Sequence, residues 1–152
     1  MAVRPKKKPA ARITKRQRES LAPVRDGIAS LRESVGMLSE AQVKRLAESC
    51  RKAAVEKKAE GTIVLDIRKK ATFADYFVLA TGRSVIQARA VADAVVEASE
   101  ADFGSPVRIE GYKDGAWILV DYGAVIVHVF TPQARDFYNL ERLWGKPAAT
   151  RK

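Results

Sequence analysis

The run Asp75 to Thr81, DYFVLAT, is apolar along almost its whole length and stops at Gly82. Two residues later Ser84, with Gln87 three positions on, opens a pattern through Ala88, Val91, Ala92, Val95 and Val96. A strand so uniformly apolar needs cover on both of its faces. Serine followed by glutamine at the third position is the capping-box start of a helix, and the apolar spacing is helical to about Ala101. Strand, tight turn and helix therefore follow one another without a linker. A chain built around this unit has to form a sheet with helices packed on it, which excludes an all-helical bundle and makes a barrel uneconomical.

The flanking segments extend the same architecture. Ser39 with Gln42 forms a second capping box, ahead of Val43, Leu46, Ala47, Cys50, Ala53 and Ala54. This predicts a helix from about Glu40 to Glu60, with Lys57 and Lys58 near its negative end and Gly61 as its left-handed cap. Cys50 lies on the apolar stripe and reads as a small buried hydrophobe. Thr62 to Ile67 is β-branched and predicts a strand. Beyond Gly104 and Pro106 comes a meander: Val107 to Tyr112, Trp117 to Asp121 and Val125 to Phe130. Its joints are Lys113-Asp114-Gly115-Ala116, a strong hairpin signal, and Tyr122-Gly123-Ala124. Thr131-Pro132 then opens a short helix carrying Ala134, Phe137 and Tyr138. The order αββαβββα predicts an α/β (α+β) domain with a five-stranded mixed sheet and three helices.

Length and charge set the domain plan. The chain has 152 residues, room for one domain and its tails, and no apolar run approaches the roughly 20 residues of a membrane span. Its single cysteine cannot form an internal disulfide, which fits a reducing compartment, and one histidine with one cysteine makes no zinc cage. Residues 1–35 hold ten Lys/Arg against three Asp/Glu, whereas residues 36–152 hold eighteen against fifteen. The division expected is a basic solvated arm over 1–35, a folded domain over 36–146 and a tail over 147–152. Lys6, Lys7, Lys8, Arg12, Lys15, Arg16 and Arg18 could contact phosphate through a salt-sensitive attraction. A solubilising tail and an organellar transit peptide are the other readings of the arm. It contains no apolar run of ~7 to 15 residues, which argues against a secretory signal.

Candidate chemistry is sparse. The Gly82-Arg83-Ser84 turn could cradle an anion at a helix N-terminus. A nucleotidyl-transfer site there would also need gathered carboxylates for divalent metal, and the chain has no Asp-x-Asp. Asp66, Asp75 and Asp121 end different strands, and Asp93 stands alone on a helix. No catalytic residue, metal ligand or cofactor is expected. His128, inside VIVHVF, reads as a core histidine with one hydrogen-bond partner, which Asp121 could supply. The aromatic residues beside turns are more informative: Trp117 follows the hairpin and Tyr122 occupies the next turn. Trp117 either folds inward or anchors an interface, and Tyr122 is expected to be exposed.

The motifs taken together carry a resemblance. ADYFVLATGRS at 74–84, EGYKDGAWILVDYGAVIVHVF at 110–130 and ARDFYNLERLWG at 134–145 are similar to the Iojap family of ribosomal silencing factors, in order, from Leu38 to Gly145. The resemblance implies a nucleotidyltransferase-like fold that has lost catalysis. It also implies binding to the large ribosomal subunit through its intersubunit-face protein, the fourteenth of the large-subunit set. A factor docked there blocks joining of the small subunit and represses translation in the bacterial cytoplasm. Organellar relatives also act in large-subunit maturation. Carried over by position, Trp117, Asp121, Tyr122, Gly123 and Tyr138 match the family's partner-binding stretches. Many relatives have an acidic residue after the glycine where this chain has Ala124, and the basic arm lies outside the common core. A large-subunit assembly factor, a cryptic nucleotidyltransferase and a non-specific RNA chaperone are the rival readings. Contact of the arm with rRNA and a homodimer of the free protein stay open.

Overall fold

The computed structural model describes residues 38–145. The arm residues Lys6, Lys7, Lys8, Arg12, Lys15, Arg16 and Arg18 and both expected domain boundaries lie outside the described residues. Helix α1 spans Glu40–Glu56, with Ser39 making the complete capping box: its Oγ accepts from Gln42 N, and Gln42 Oε1 accepts from Ser39 N. It ends four residues before the expected Glu60. Lys57 caps it, Lys58 takes a left-handed backbone at φ 70, and Glu60 already belongs to the first strand. Gly61, expected as the helix cap, instead supplies φ 55 where the register of that strand shifts between Glu60 and Ile63.

The strands are β1 Glu60–Asp66, β2 Tyr76–Thr81, β3 Arg108–Glu110, β4 Trp117–Asp121 and β5 Val125–Phe130. They form one sheet in the order β1-β2-β5-β4-β3. Only the β2–β5 pairing is parallel, so the sheet is mixed, as the sequence predicts. All six residues of β2 are buried, which is what its unbroken apolar run requires. Helix α2 spans Val85–Phe103. At the C-terminus the single short helix expected is two: α3 Pro132–Tyr138 and α4 Leu140–Trp144, parted by Asn139 at φ 46.

Strand parity divides the core. Tyr76, Val78 and Ala80 of β2, Ile118 and Val120 of β4, and Val125, Val127 and Val129 of β5 pack with the buried stripes of α1 and α2. Cys50 lies in this layer, and burial pushes its thiol up to about 12, leaving an inert side chain. Phe77, Leu79 and Phe130 face the other way, with Leu65, Ala134 and Leu140. Among the described residues, α3, α4 and the segment before β2 are what cover that second face.

Arg135 of α3 fixes this thinner layer. Its guanidinium donates to Thr81 Oγ1 at 2.8 Å, to the Gly61 carbonyl at 2.9 Å and to Glu141 Oε2 at 2.7 Å, joining α3 to β1, β2 and α4. Removing it leaves Glu141 half-buried and unpaired. Arg135→Met is expected to lower stability by about 2–3 kcal/mol in urea denaturation, the scale of lost charge-assisted hydrogen bonds at a partly buried site. A change below about 0.5 kcal/mol would show the cluster to be decorative.

Candidate functional site

The Gly82 turn proves to be a packing joint. A Cβ on Gly82 would lie 2.6 Å from the Ala88 backbone nitrogen, so β2 and the first turn of α2 touch where only glycine fits. Two amides of that turn are engaged within the protein: Gln87 N donates to Ser84 Oγ and Ala88 N to the Ser84 carbonyl. The expected capping box is half-made. Gln87 Nε2 donates instead to the carbonyls of Lys57 and Lys58, tying α2 to the end of α1. Among the described residues, no group of three or more His, Cys, Asp or Glu side chains is placed to hold a metal ion, and no helix is long and apolar enough to cross a membrane.

Of the five residues expected to meet a partner, the structure brings two together. Trp117 opens β4 on the thinly covered face, half-buried, and its indole lies 4.4 Å from the Tyr138 ring. Gly111 sets this end of the strand: its φ is +78, and a Cβ there would lie 2.1 Å from the Trp117 carbonyl oxygen. The loop between β3 and β4 is held against α2, where Arg89 donates to the carbonyls of Tyr112 and Lys113 and Tyr112 donates to the buried Asp93 carboxylate.

Asp121, Tyr122 and Gly123 lie at the opposite end of β4, four to six residues and at least ~13 Å along the strand. The expected exposure of Tyr122 is overturned: its exposure is 0%. Five positions after Trp117, its side chain falls on the opposite sheet face, under α2, where its hydroxyl meets Ser99 Oγ at 2.5 Å. Burial pushes its phenol well above the ordinary tyrosine range. Asp121 is also buried; its carboxylate accepts from Gly123 N at 2.7 Å and from Arg108 Nε at 3.2 Å, so it braces the turn and is not a rim charge seeking lysines. Gly123, half-buried at φ 91, makes the bend possible.

His128 is the core histidine expected, 4% exposed, but its partner is not Asp121. Its Nδ1 accepts from Trp117 Nε1 at 3.0 Å. The imidazole lies edge-on to Phe77 at 4.5 Å, and Phe130 packs against Trp117 at 5.3 Å. An aromatic row results, Phe77–His128–Trp117–Tyr138–Phe137, crossing the face from β2 to α3. It ends in open surface, because Tyr138 is 45% and Phe137 79% exposed. Phe137 was absent from the expected site. The signal lay in α3 itself: of Ala134, Phe137 and Tyr138, only alanine is buried, leaving two large rings without cover.

The profile of the family described as "Ribosomal silencing factor during starvation" matches residues 40–152. The ribosomal silencing factor of Zymomonas mobilis is 45% identical over 76 residues, 50% of this chain and 57% of that protein's length. The corresponding factor of Bacillus subtilis is 38% identical over 90 residues, 59% of this chain and 76% of that protein. A crystal structure of a Chromobacterium violaceum protein superimposes with a TM-score of 0.64 at 33% identity, covering 76% of this chain and 95% of that one.

Proposed function

The chain belongs to the ribosomal silencing factor family, and from that premise we propose that it docks on the large ribosomal subunit by its thinly covered sheet face and keeps the small subunit from joining. The partner is the large subunit's intersubunit-face protein, and translation is repressed by occupancy, with no bond made or broken. The silencing unit is residues 36–146, acting in a bacterial cytoplasm, with the basic arm adding a salt-dependent attraction to rRNA.

The observation that carries this reading is the exposed end of the aromatic row. Trp117, Tyr138 and Phe137 form a contiguous apolar surface at the β4–α3 edge. Interfaces concentrate their binding energy in such clusters of rigid rings, and a specific contact needs about 800 Å² per partner. Tyr122 and Asp121 have no direct contact to make; they hold the far end of β4 in place.

Glutamate in place of Trp117, or of the fully projecting Phe137, is expected to weaken binding to purified large subunits at least ~100-fold, the effect of losing a central aromatic anchor. Sucrose-gradient co-sedimentation measures this, and subunit joining should recover in step. Phe137→Glu changes a side chain that packs little in the folded domain, so its circular dichroism should stay that of the parent. Both variants co-sedimenting like the parent would remove this face from the interface.

A further inference from the structure

The Trp117 indole could swing about its side-chain bonds, since it is half-buried at a strand end beside open surface. One directed contact opposes that. His128 is the diagonal neighbour of Trp117 across the β4–β5 pair: Trp117 faces Phe130 and Leu119 faces His128 in the register. The 3.0 Å hydrogen bond from Trp117 Nε1 to His128 Nδ1 therefore clamps the indole against the sheet. Because Nδ1 is the acceptor, the neutral imidazole carries its proton on Nε2. Nε2 is buried without a hydrogen-bond partner among the described residues. A buried donor left unpaired costs about 1–3 kcal/mol, so packing alone would favour an apolar side chain at this position. What an apolar residue could not do is accept the indole proton.

We infer that His128 is a positioning residue: through Nδ1 it fixes the Trp117 ring in the one orientation that, on the docking reading above, meets the ribosome. The inference rests on that reading for its functional half and on the hydrogen bond alone for its structural half. An anchor ordered before binding loses less rotational freedom when it docks.

Asparagine and glutamine separate the two imidazole nitrogens. His128→Asn keeps an acceptor oxygen at the δ position, whereas His128→Gln carries its polar atoms one bond further out and His128→Leu has none. With two tryptophans in the chain, a Trp144→Phe background isolates the Trp117 indole N–H signal in a nitrogen–proton NMR spectrum. The expected result is slow hydrogen exchange of that signal in the parent and in His128→Asn, and exchange at least tenfold faster in His128→Gln and His128→Leu. Affinity of the full chain for purified large subunits should follow the same split, about tenfold weaker for the leucine and glutamine variants and near parental for asparagine. Asparagine behaving like leucine in both measurements would overturn the inference. A Trp117→Ala chain that binds like the parent would overturn the positioning role; parental binding by Phe137→Glu as well would overturn the docking reading, while the indole signal would still decide whether the clamp exists.

Discussion

Replacing Tyr122 by alanine is expected to lower the stability of the folded domain by about 3–5 kcal/mol, the range for truncating a large aromatic side chain in a close-packed core. The ring has no exposure and belongs to the core layer that α1 and α2 form with the sheet. Its hydroxyl shares a 2.5 Å hydrogen bond with Ser99, whose own Oγ donates to the Val96 carbonyl. Tyr122→Phe keeps the ring and removes the hydroxyl, so about 1–2 kcal/mol is expected, the cost of one buried hydrogen bond. A domain of this size has roughly 5–15 kcal/mol in all, so the alanine variant should populate unfolded chain measurably in mild urea and the phenylalanine variant should not. Binding separates this role from a docking role. Under conditions where both variants are folded, neither should lose affinity for large subunits, because the ring lies on the face away from Trp117. Parental stability combined with lost binding would put Tyr122 back on the surface.

Tyr122 also shows how far the sequence could be read. In WILVDY the alternation of a strand already places Trp117, Leu119 and Asp121 on one face and Ile118, Val120 and Tyr122 on the other. Nearness to Gly123 made Tyr122 look like a turn residue, but strand parity outranks the turn, and parity was in the sequence. The strand-turn-helix unit at Asp75 to Ala88 was legible for the same reason: its signals are local, and the structure keeps strand, turn and Ser84 cap in place, with Gln87 alone diverted to the end of α1. The end of α1 was not, since a left-handed lysine at 58 has no signature and Gly61 drew the expected cap four residues too far. The meeting of Trp117 with Tyr138 could not be read at all. The two lie 21 positions apart, and the contact exists because α3 folds back over the sheet through Arg135 and Thr81. Local pattern gives the faces; only tertiary packing says which face is left open.

His128 should make the domain lose stability as pH falls, beginning above the range in which the carboxylates of this protein ordinarily titrate. Burial pushes its pKa down to about 3 from the ordinary 6.5. The groups set against it are uncharged: Phe77 and Leu79 of β2, Trp117 and Leu119 of β4, and Phe130 of its own strand. Well above pH 6.5 the imidazole is neutral in folded and unfolded chains alike and contributes nothing to the pH dependence. Between 6.5 and about 3 the unfolded chain takes up a proton that the folded one refuses. Stability therefore falls with falling pH, approaching ~1.4 kcal/mol per unit and totalling roughly 4–5 kcal/mol by pH 3. Carboxylates obscure the lower part of that range, but from pH 6.5 to 5 they stay mostly ionised, and His128 is the only histidine in the sequence. Urea titrations at pH 7, 6 and 5 should thus show about 1–2 kcal/mol lost in the parent. His128→Asn, which removes that titration, should show a much shallower profile, keeping only the small slope from carboxylates such as Glu48 and Asp66 that are lowered in the folded domain. A flat parent would mean that the folded domain accepts the proton at His128, and an imidazolium cannot accept the indole hydrogen bond; the same measurement therefore tests whether the ring that holds Trp117 stays neutral.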